Sequence, residues 1–214
     1  MIDLDGTLID SVPDLAYCVD EMMQQIGRQP YGQDAVRDWV GNGVERLVKR
    51  ALTNSLDNEP KDNEFNKAYP LFLELYAKNH SGRSQLYTGV LEAIQIFSKA
   101  EGHLGCVTNK AAQFTEPLLE GKGLTPYFEI IVSGDTLAKK KPDPLPLLHA
   151  AEYFKVDPKD CLMLGDSQSD VKAARAAGFG IICMSYGYNH GVDIREMNPD
   201  MVVDSMLEIP SLIY

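Results

Sequence analysis

The chain has 214 residues, 44% of them hydrophobic and 24% charged, which suits one globular domain with an insert, or two small ones. Twenty Lys and Arg against thirty-one Asp and Glu give a net charge of −11, which excludes the basic footprint of a nucleic-acid or anionic-membrane surface. No apolar run is long enough to span a bilayer and none reads as a signal peptide. The four cysteines, Cys18, Cys106, Cys161 and Cys183, lack Cys-x-x-Cys spacing, so they read as packed, reduced thiols. The expectation is a cytoplasmic protein with no membrane or nucleic-acid partner, either a monomer or a homodimer.

In chain order, Met1-Ile2 runs directly into Asp3-Leu4-Asp5-Gly6-Thr7. Carboxylates two residues apart on an extended chain point to one side. They repel there unless a cation lies between them or they do chemistry. Gly6 permits a sharp turn with no Cβ in the way of a bound group, although Asp-Gly is also an ordinary turn signal. Strands usually run ~5–6 residues, so a few apolar residues upstream of Met1 are expected. Pro13 then opens a helix carrying Leu15, Val19, Met22, Met23 and Ile26, closed at Gly27. A second helix from about Gln33 to Leu52 carries Val36, Trp39, Val40, Val44, Leu47 and Val48, and Gly41-Asn42-Gly43 interrupts it. Residues 53–63 read as a polar loop and 64–79 as a third helix. Three helices with no strand between them do not belong inside an α/β sheet, so 13–83 is expected to be an all-helical insert.

From Tyr87 the pattern alternates. Helices are expected over 90–99, after Asn109 as far as Lys122, over 144–155 and over 171–177. Strands are expected over 103–107, 129–132, 160–164, 180–184 and 201–203, and Leu207 to Tyr214 is expected to pack a last helix on the sheet. Such alternation implies a Rossmann-like α/β core of parallel strands with helices on both faces, built from 1–12 and 84–214. Sites in such sheets lie beyond the C-terminal ends of the strands. Asp3, Thr108, Lys141 and Asp166 all fall near such ends.

Asp3-x-Asp5-Gly6-Thr7, Thr108-Asn109, Lys141-Pro142 and Gly165-Asp166-Ser167-x-x-Asp170 together resemble the four ordered motifs of the haloacid dehalogenase-like hydrolases. Trp39-Val40-Gly41-Asn42-Gly43, Ser133-Gly134-Asp135-Thr136 and Tyr186-Gly187-Tyr188-Asn189 are similar to stretches of the phosphoglycolate phosphatase branch. The resemblance implies a phosphomonoester hydrolase working through an aspartyl-phosphate, most naturally on 2-phosphoglycolate, with another small phosphosugar or nucleotide as the alternative and a non-catalytic binding protein behind both. Asp3 would be the nucleophile and Asp5 the acid/base. Mg²⁺ would be held by Asp3, the Asp5 carbonyl and Asp166, with Asp170 acting from behind. Lys141 would be the essential cation, and Lys139 and Lys140 a solvated loop.

Gly6, Thr7, Thr108 and Asn109 would contact phosphate, although Thr and Asn also cap helices. Gly41, Asn42 and Gly43 would form the specificity loop of a helical cap, although a plain turn would look the same. A substrate carboxylate would be met by backbone N–H groups there or by Arg46. An acid at position 5 is at odds with dehalogenase and phosphonoacetaldehyde hydrolase chemistry, and residues 13–18 lack the stretch typical of the family's sugar mutases. The histidines, His80, His103, His149 and His190, show no ligand-like spacing, and for 186–189 a turn suffices.

Overall fold

The computed structural model describes residues 1–100 and 102–213. At its centre is one parallel sheet whose middle is the chain's first three residues. Ile2 bridges Cys106 on one side and Leu164 on the other. The Ile2 N–H donates to Gly105 O (2.8 Å), Asp3 N–H to Leu164 O (2.9 Å), Val107 N–H to Ile2 O (2.9 Å) and Leu164 N–H to Met1 O (2.8 Å). This segment joins the pair β3 (Gly105–Val107) and β4 (Ile130–Val132) to the trio β5 (Leu162–Gly165), β6 (Gly180–Met184) and β7 (Met201–Val203). Only three residues stand where a longer strand was expected, yet they are hydrogen-bonded on both edges.

Side chains alternate across the sheet as the two-residue period demands. Cys106, Leu164, Ile182 and Met184 pack with α5 (Val90–Phe97), α6 (Ala112–Gly121) and Ile209. Val107, Met163, Ile181 and Cys183 pack on the other face with α7 (Leu145–Phe154) and α8 (Gln168–Ala177). Helix α8 begins three residues earlier than its alanine run suggested. Ser167 and Asp170 form a capping box there, and Gly178 closes the helix in the left-handed conformation. The tail makes a 3₁₀ turn and a short helix, α9 (Pro210–Ile213), which places Met206 and Ile209 in the core; Tyr214 lies outside the described residues.

Between the first motif and α5 the chain builds a second apolar cluster from α1 (Val12–Gln25), α2 (Gln33–Trp39), α3 (Val44–Thr53) and α4 (Asp62–Asn79). The expected second helix is in fact two, because Gly41, Asn42 and Gly43 all take positive φ (116°, 65° and 91°). Three such residues in a row turn the chain over, and only Gly and Asn adopt that region cheaply. The chain leaves for these helices through β1 (Ile9–Asp10) and returns through β2 (Gln85–Leu86), and the two strands pair antiparallel. Buried Asp14 fastens the return, accepting from Arg83 N–H (2.9 Å), Ser84 N–H (2.7 Å) and Ser84 Oγ (2.6 Å). No described helix is long and apolar enough to cross a membrane.

Candidate active site

Asp3 and Asp5 leave the end of the central segment, Thr108 leaves β3, and Asp166 leaves β5. Lys141 comes from the loop between β4 and α7. These side chains meet in one cleft. Lys141 is its hub. The ammonium is 1% exposed and donates to Val107 O (2.6 Å) and Asp170 Oδ1 (2.7 Å), with Asp3 Oδ1 at 2.9 Å. Burial alone would lower its pKa, but Asp170 and Asp3 outweigh that and raise it. Leu4 N–H also donates to Asp3 Oδ1 (2.8 Å). Asp3 Oδ2 therefore meets no donor among the described residues and is free for a reacting atom or a metal. Burial raises the Asp3 carboxyl to about 7, with Lys141 opposing the rise and Asp170 adding to it.

Asp166 is 2% exposed, and among the described residues no cation pairs with it. It accepts from Thr7 Oγ1 (2.7 Å) and Tyr188 N–H (2.6 Å). Burial, then the like charges of Asp170 and Asp3, push its pKa well above the ordinary value. Two glycines make room for it. A Cβ on Gly6 would stand 2.2 Å from Asp166 Oδ2, and one on Gly187 2.1 Å from Asp166 Cβ. Oxygens of Asp3, Asp166 and Asp170 lie within 4.8 Å of one another. Three buried carboxylates sharing one lysine leave negative charge uncompensated, and an all-oxygen donor set suits a hard divalent cation such as Mg²⁺. The residues present fit that ion. Asp170 is less open to it: Oδ1 is held by Lys141, and Oδ2 accepts from Ser167 Oγ (2.7 Å) and Ser167 N–H (3.0 Å).

Asp5 has a partner that sequence reasoning missed. Lys110, buried two residues past Thr108, places Nζ 3.1 and 3.2 Å from the two Asp5 oxygens and donates to Tyr76 Oη of α4 (2.6 Å). Burial would lower the Lys110 pKa; Asp5 and Tyr76 more than offset it and raise it. The signal was present in the sequence as a lysine directly after Thr108-Asn109. Its partner Tyr76 was hidden as one more apolar position of a helix.

Other expected contacts are differently disposed. Gly6 N–H already donates to Ile9 O (2.9 Å) and the Thr7 hydroxyl is spent on Asp166, so both support the carboxylate rather than line the cleft. Thr108 and Asn109 do line it. They do not cap α6, which starts at Ala112 with the Asp135 carboxylate accepting from its first N–H (2.8 Å). Asn109 Nδ2 donates to Lys141 O (2.8 Å), while its buried Oδ1 meets no partner among the described residues. Gly134 lets the two loops touch, since a Cβ there would lie 2.2 Å from Asn109 O.

The loop 41–43 roofs the cleft. Arg46 is turned away from it, bound to Glu59 (2.5 Å) and Leu56 O (2.6 Å). The arginine behind the loop is Arg50, 6% exposed, which donates to Trp39 O (2.6 Å), Gly41 O (3.3 Å) and Asn42 Oδ1 (3.1 Å). Lys139 pairs on the surface with Asp143. Lys140 is exposed, as expected, and its Nζ also donates to Asn42 O (2.7 Å). From the other side Asn42 Nδ2 donates to Ser169 Oγ (3.3 Å).

Comparison with known proteins agrees with this geometry. A family model described as haloacid dehalogenase-like hydrolase matches residues 1–184. The chain is 58% identical over 214 residues to a phosphoglycolate phosphatase of Nitrosococcus oceani, covering all of this chain and 95% of that protein. It is 47% identical over 213 residues to one of Thiobacillus denitrificans, covering 94% of it. The crystal structure of a predicted phosphoglycolate phosphatase from Haemophilus somnus superposes with a TM-score of 0.93 at 31% identity, covering all of this chain and 96% of that one. The chain belongs to the haloacid dehalogenase-like hydrolases, as an enzyme of their phosphatase branch.

Proposed function

We propose that this enzyme is a cytoplasmic, Mg²⁺-dependent phosphomonoesterase that converts 2-phosphoglycolate to glycolate and phosphate. The observation that carries the reading is the buried constellation of Asp3, Asp166 and Asp170 around Lys141, open to a cleft roofed by residues 41–43. Bound at Asp3 and Asp166, and by family resemblance at the Asp5 carbonyl, Mg²⁺ would draw charge from the phosphoryl oxygens and hold the ester in line. An Asp3 oxygen attacks phosphorus, the bond to the ester oxygen breaks, and Asp5 gives that oxygen a proton. Asp5 then takes a proton from the water that hydrolyses the aspartyl-phosphate. Lys141 neutralises charge at Asp3, and the Thr108 hydroxyl and Asn109 amide serve the equatorial oxygens. Lys110 sits against Asp5 through both steps.

The helices of 13–83 act as a cap that excludes bulk water during the first step. Support for a small acid comes from the roof. The N–H groups of Asn42, Gly43 and Val44, at the start of α3, meet no acceptor among the described residues. A helix N-terminus with free N–H groups suits a carboxylate. The relatives named above, phosphoglycolate phosphatases by description, support the same substrate. A substrate panel tests it. With Mg²⁺, kcat/KM should be highest for 2-phosphoglycolate, and EDTA should abolish phosphate release. A hexose phosphate or nucleoside monophosphate turned over faster would overturn the assignment, and release undiminished by EDTA would remove the metal.

A further inference from the structure

The stretch Tyr186-Gly187-Tyr188-Asn189, which the mechanism above does not use, follows β6 and touches the first motif, Asp166 and the entry to the cap helices. Tyr186 Oη donates to Thr7 O (2.9 Å). Gly187 lies against Asp166, and Asn189 Oδ1 accepts from Gln168 N–H (3.0 Å) at the start of α8. Tyr188 has the longest reach. Its main-chain N–H donates to Asp166 Oδ2 (2.6 Å). Its hydroxyl donates to Asp10 and accepts from Ser11 N–H (3.0 Å), where the chain enters the cap helices. The guanidinium of Arg37, on α2, stands 5.2 Å over the Tyr188 ring and pairs with Asp10 at 3.0 Å. The ring is 3% exposed and packs in the apolar cluster of the cap, although its backbone lies in the loop after β6, against Asp166.

We propose that Tyr188 is a positioning residue through which the seating of the helical cap at Asp10 and Arg37 is coupled to the orientation of the Asp166 carboxylate. The inference rests on Asp166 as a metal ligand, as proposed above. One residue holds Asp166 by its N–H and the cap entry by its hydroxyl, with the length of a rigid aromatic ring between them. A cap displaced at Asp10 therefore pulls on the strap, and the hydrogen bond that aims Asp166 Oδ2 loosens. Partners that orient a metal ligand change metal affinity when they are lost, without touching the ion. The coupling is reciprocal, so metal bound at Asp166 also favours the seated cap.

The experiment uses the full chain and measures Mg²⁺ binding by calorimetry without substrate, with the fluorescence of Trp39, the one tryptophan, as a report on the roof loop. Tyr188→Phe keeps the ring and the N–H and loses only the hydroxyl. Arg37→Ala alters a half-buried residue of the cap. In both, the Mg²⁺ dissociation constant should rise about tenfold, at the low end of what losing an orienting partner costs, and the Trp39 response to Mg²⁺ should weaken. Arg37→Lys should recover part of the loss, and thermal unfolding followed alongside should show both variants folded. Wild-type Mg²⁺ affinity in both variants would overturn the coupling and leave the metal site standing. No Mg²⁺ binding by the parent enzyme would overturn the metal reading, and this inference with it.

Discussion

Lys141 and Lys110 divide the electrostatic labour at the residue scale. One holds Asp3 and Asp170, the other holds Asp5, and neither touches the other's carboxylates. That separation keeps the proposed nucleophile, Asp3, and the proposed acid/base, Asp5, in distinct electrostatic settings although only Leu4 lies between them. Asp3→Asn should lower kcat by about 10⁴-fold or more, as losing a nucleophile does, with no acid-stable, base-labile phosphoprotein after a rapid quench. Turnover at the parental rate would sink the covalent route. Lys110→Met leaves a carboxylate and a buried phenol without their cation, which should cost about 1–3 kcal/mol in urea unfolding. It should slow turnover by less than the ~10²–10⁴-fold expected for removing Asp5 itself. A variant as stable and as fast as the parent would show the pair to be idle.

The elements themselves were legible where a period repeats. The strands over 180–184 and 201–203 match the expected ranges, and α4, α5 and α7 fall within two residues of theirs. The second helix was misjudged because apolar spacing continues through residues 40–44 while the backbone there reverses. Position 50 was missed because an arginine on a helix reads as solvated until tertiary structure brings carbonyls to it. The motifs at strand ends were visible because the chemistry demands fixed residue types. The hydrogen bonds of Thr7 and Gly6 were not visible, since spacing says nothing of where a hydroxyl is spent. Arg50 now gives the roof loop its own prediction. Arg50→Lys cannot reach Trp39 O, Gly41 O and Asn42 Oδ1 together, because an ammonium lacks the planar fork of donors. KM for 2-phosphoglycolate should rise about tenfold, equivalent to ~1.4 kcal/mol, while an aryl phosphate without a carboxylate is turned over nearly as before. Equal losses on both substrates would assign Arg50 to general stability.

Over the whole molecule, charge sets how stability varies with pH. The buried carboxyls of Asp3 and Asp166 are raised above their unfolded values. For Asp3 the stability this confers is fully present below the unfolded pKa of 3.8 and is lost as pH rises through about 7, and Asp166 acts in the same direction. Metal-free enzyme should therefore melt lower at pH 8 than at pH 5. Mg²⁺ at a fixed concentration should restore more at the higher pH, where its dissociation constant is lower; at one hundred times that constant the total gain is about 2.7 kcal/mol. Melting in EDTA that is independent of pH, with no larger Mg²⁺ effect at pH 8, would contradict the arrangement. The net charge of −11 makes the same point differently: an anionic substrate enters an acidic protein, so its attraction must be local.

The first three residues behave as a keystone. Among the described residues the β3–β4 pair and the β5–β7 trio touch no common strand except this segment, and the same segment presents Asp3. Any opening that parts the two flanks also withdraws Asp3, the proposed nucleophile, so a half-open sheet should show no partial turnover. Amide hydrogen exchange should register this as one event: Ile2, Asp3, Val107 and Leu164, whose N–H groups cross the two seams, should exchange at a common rate. Loss of activity in rising urea should coincide with their release and not precede it.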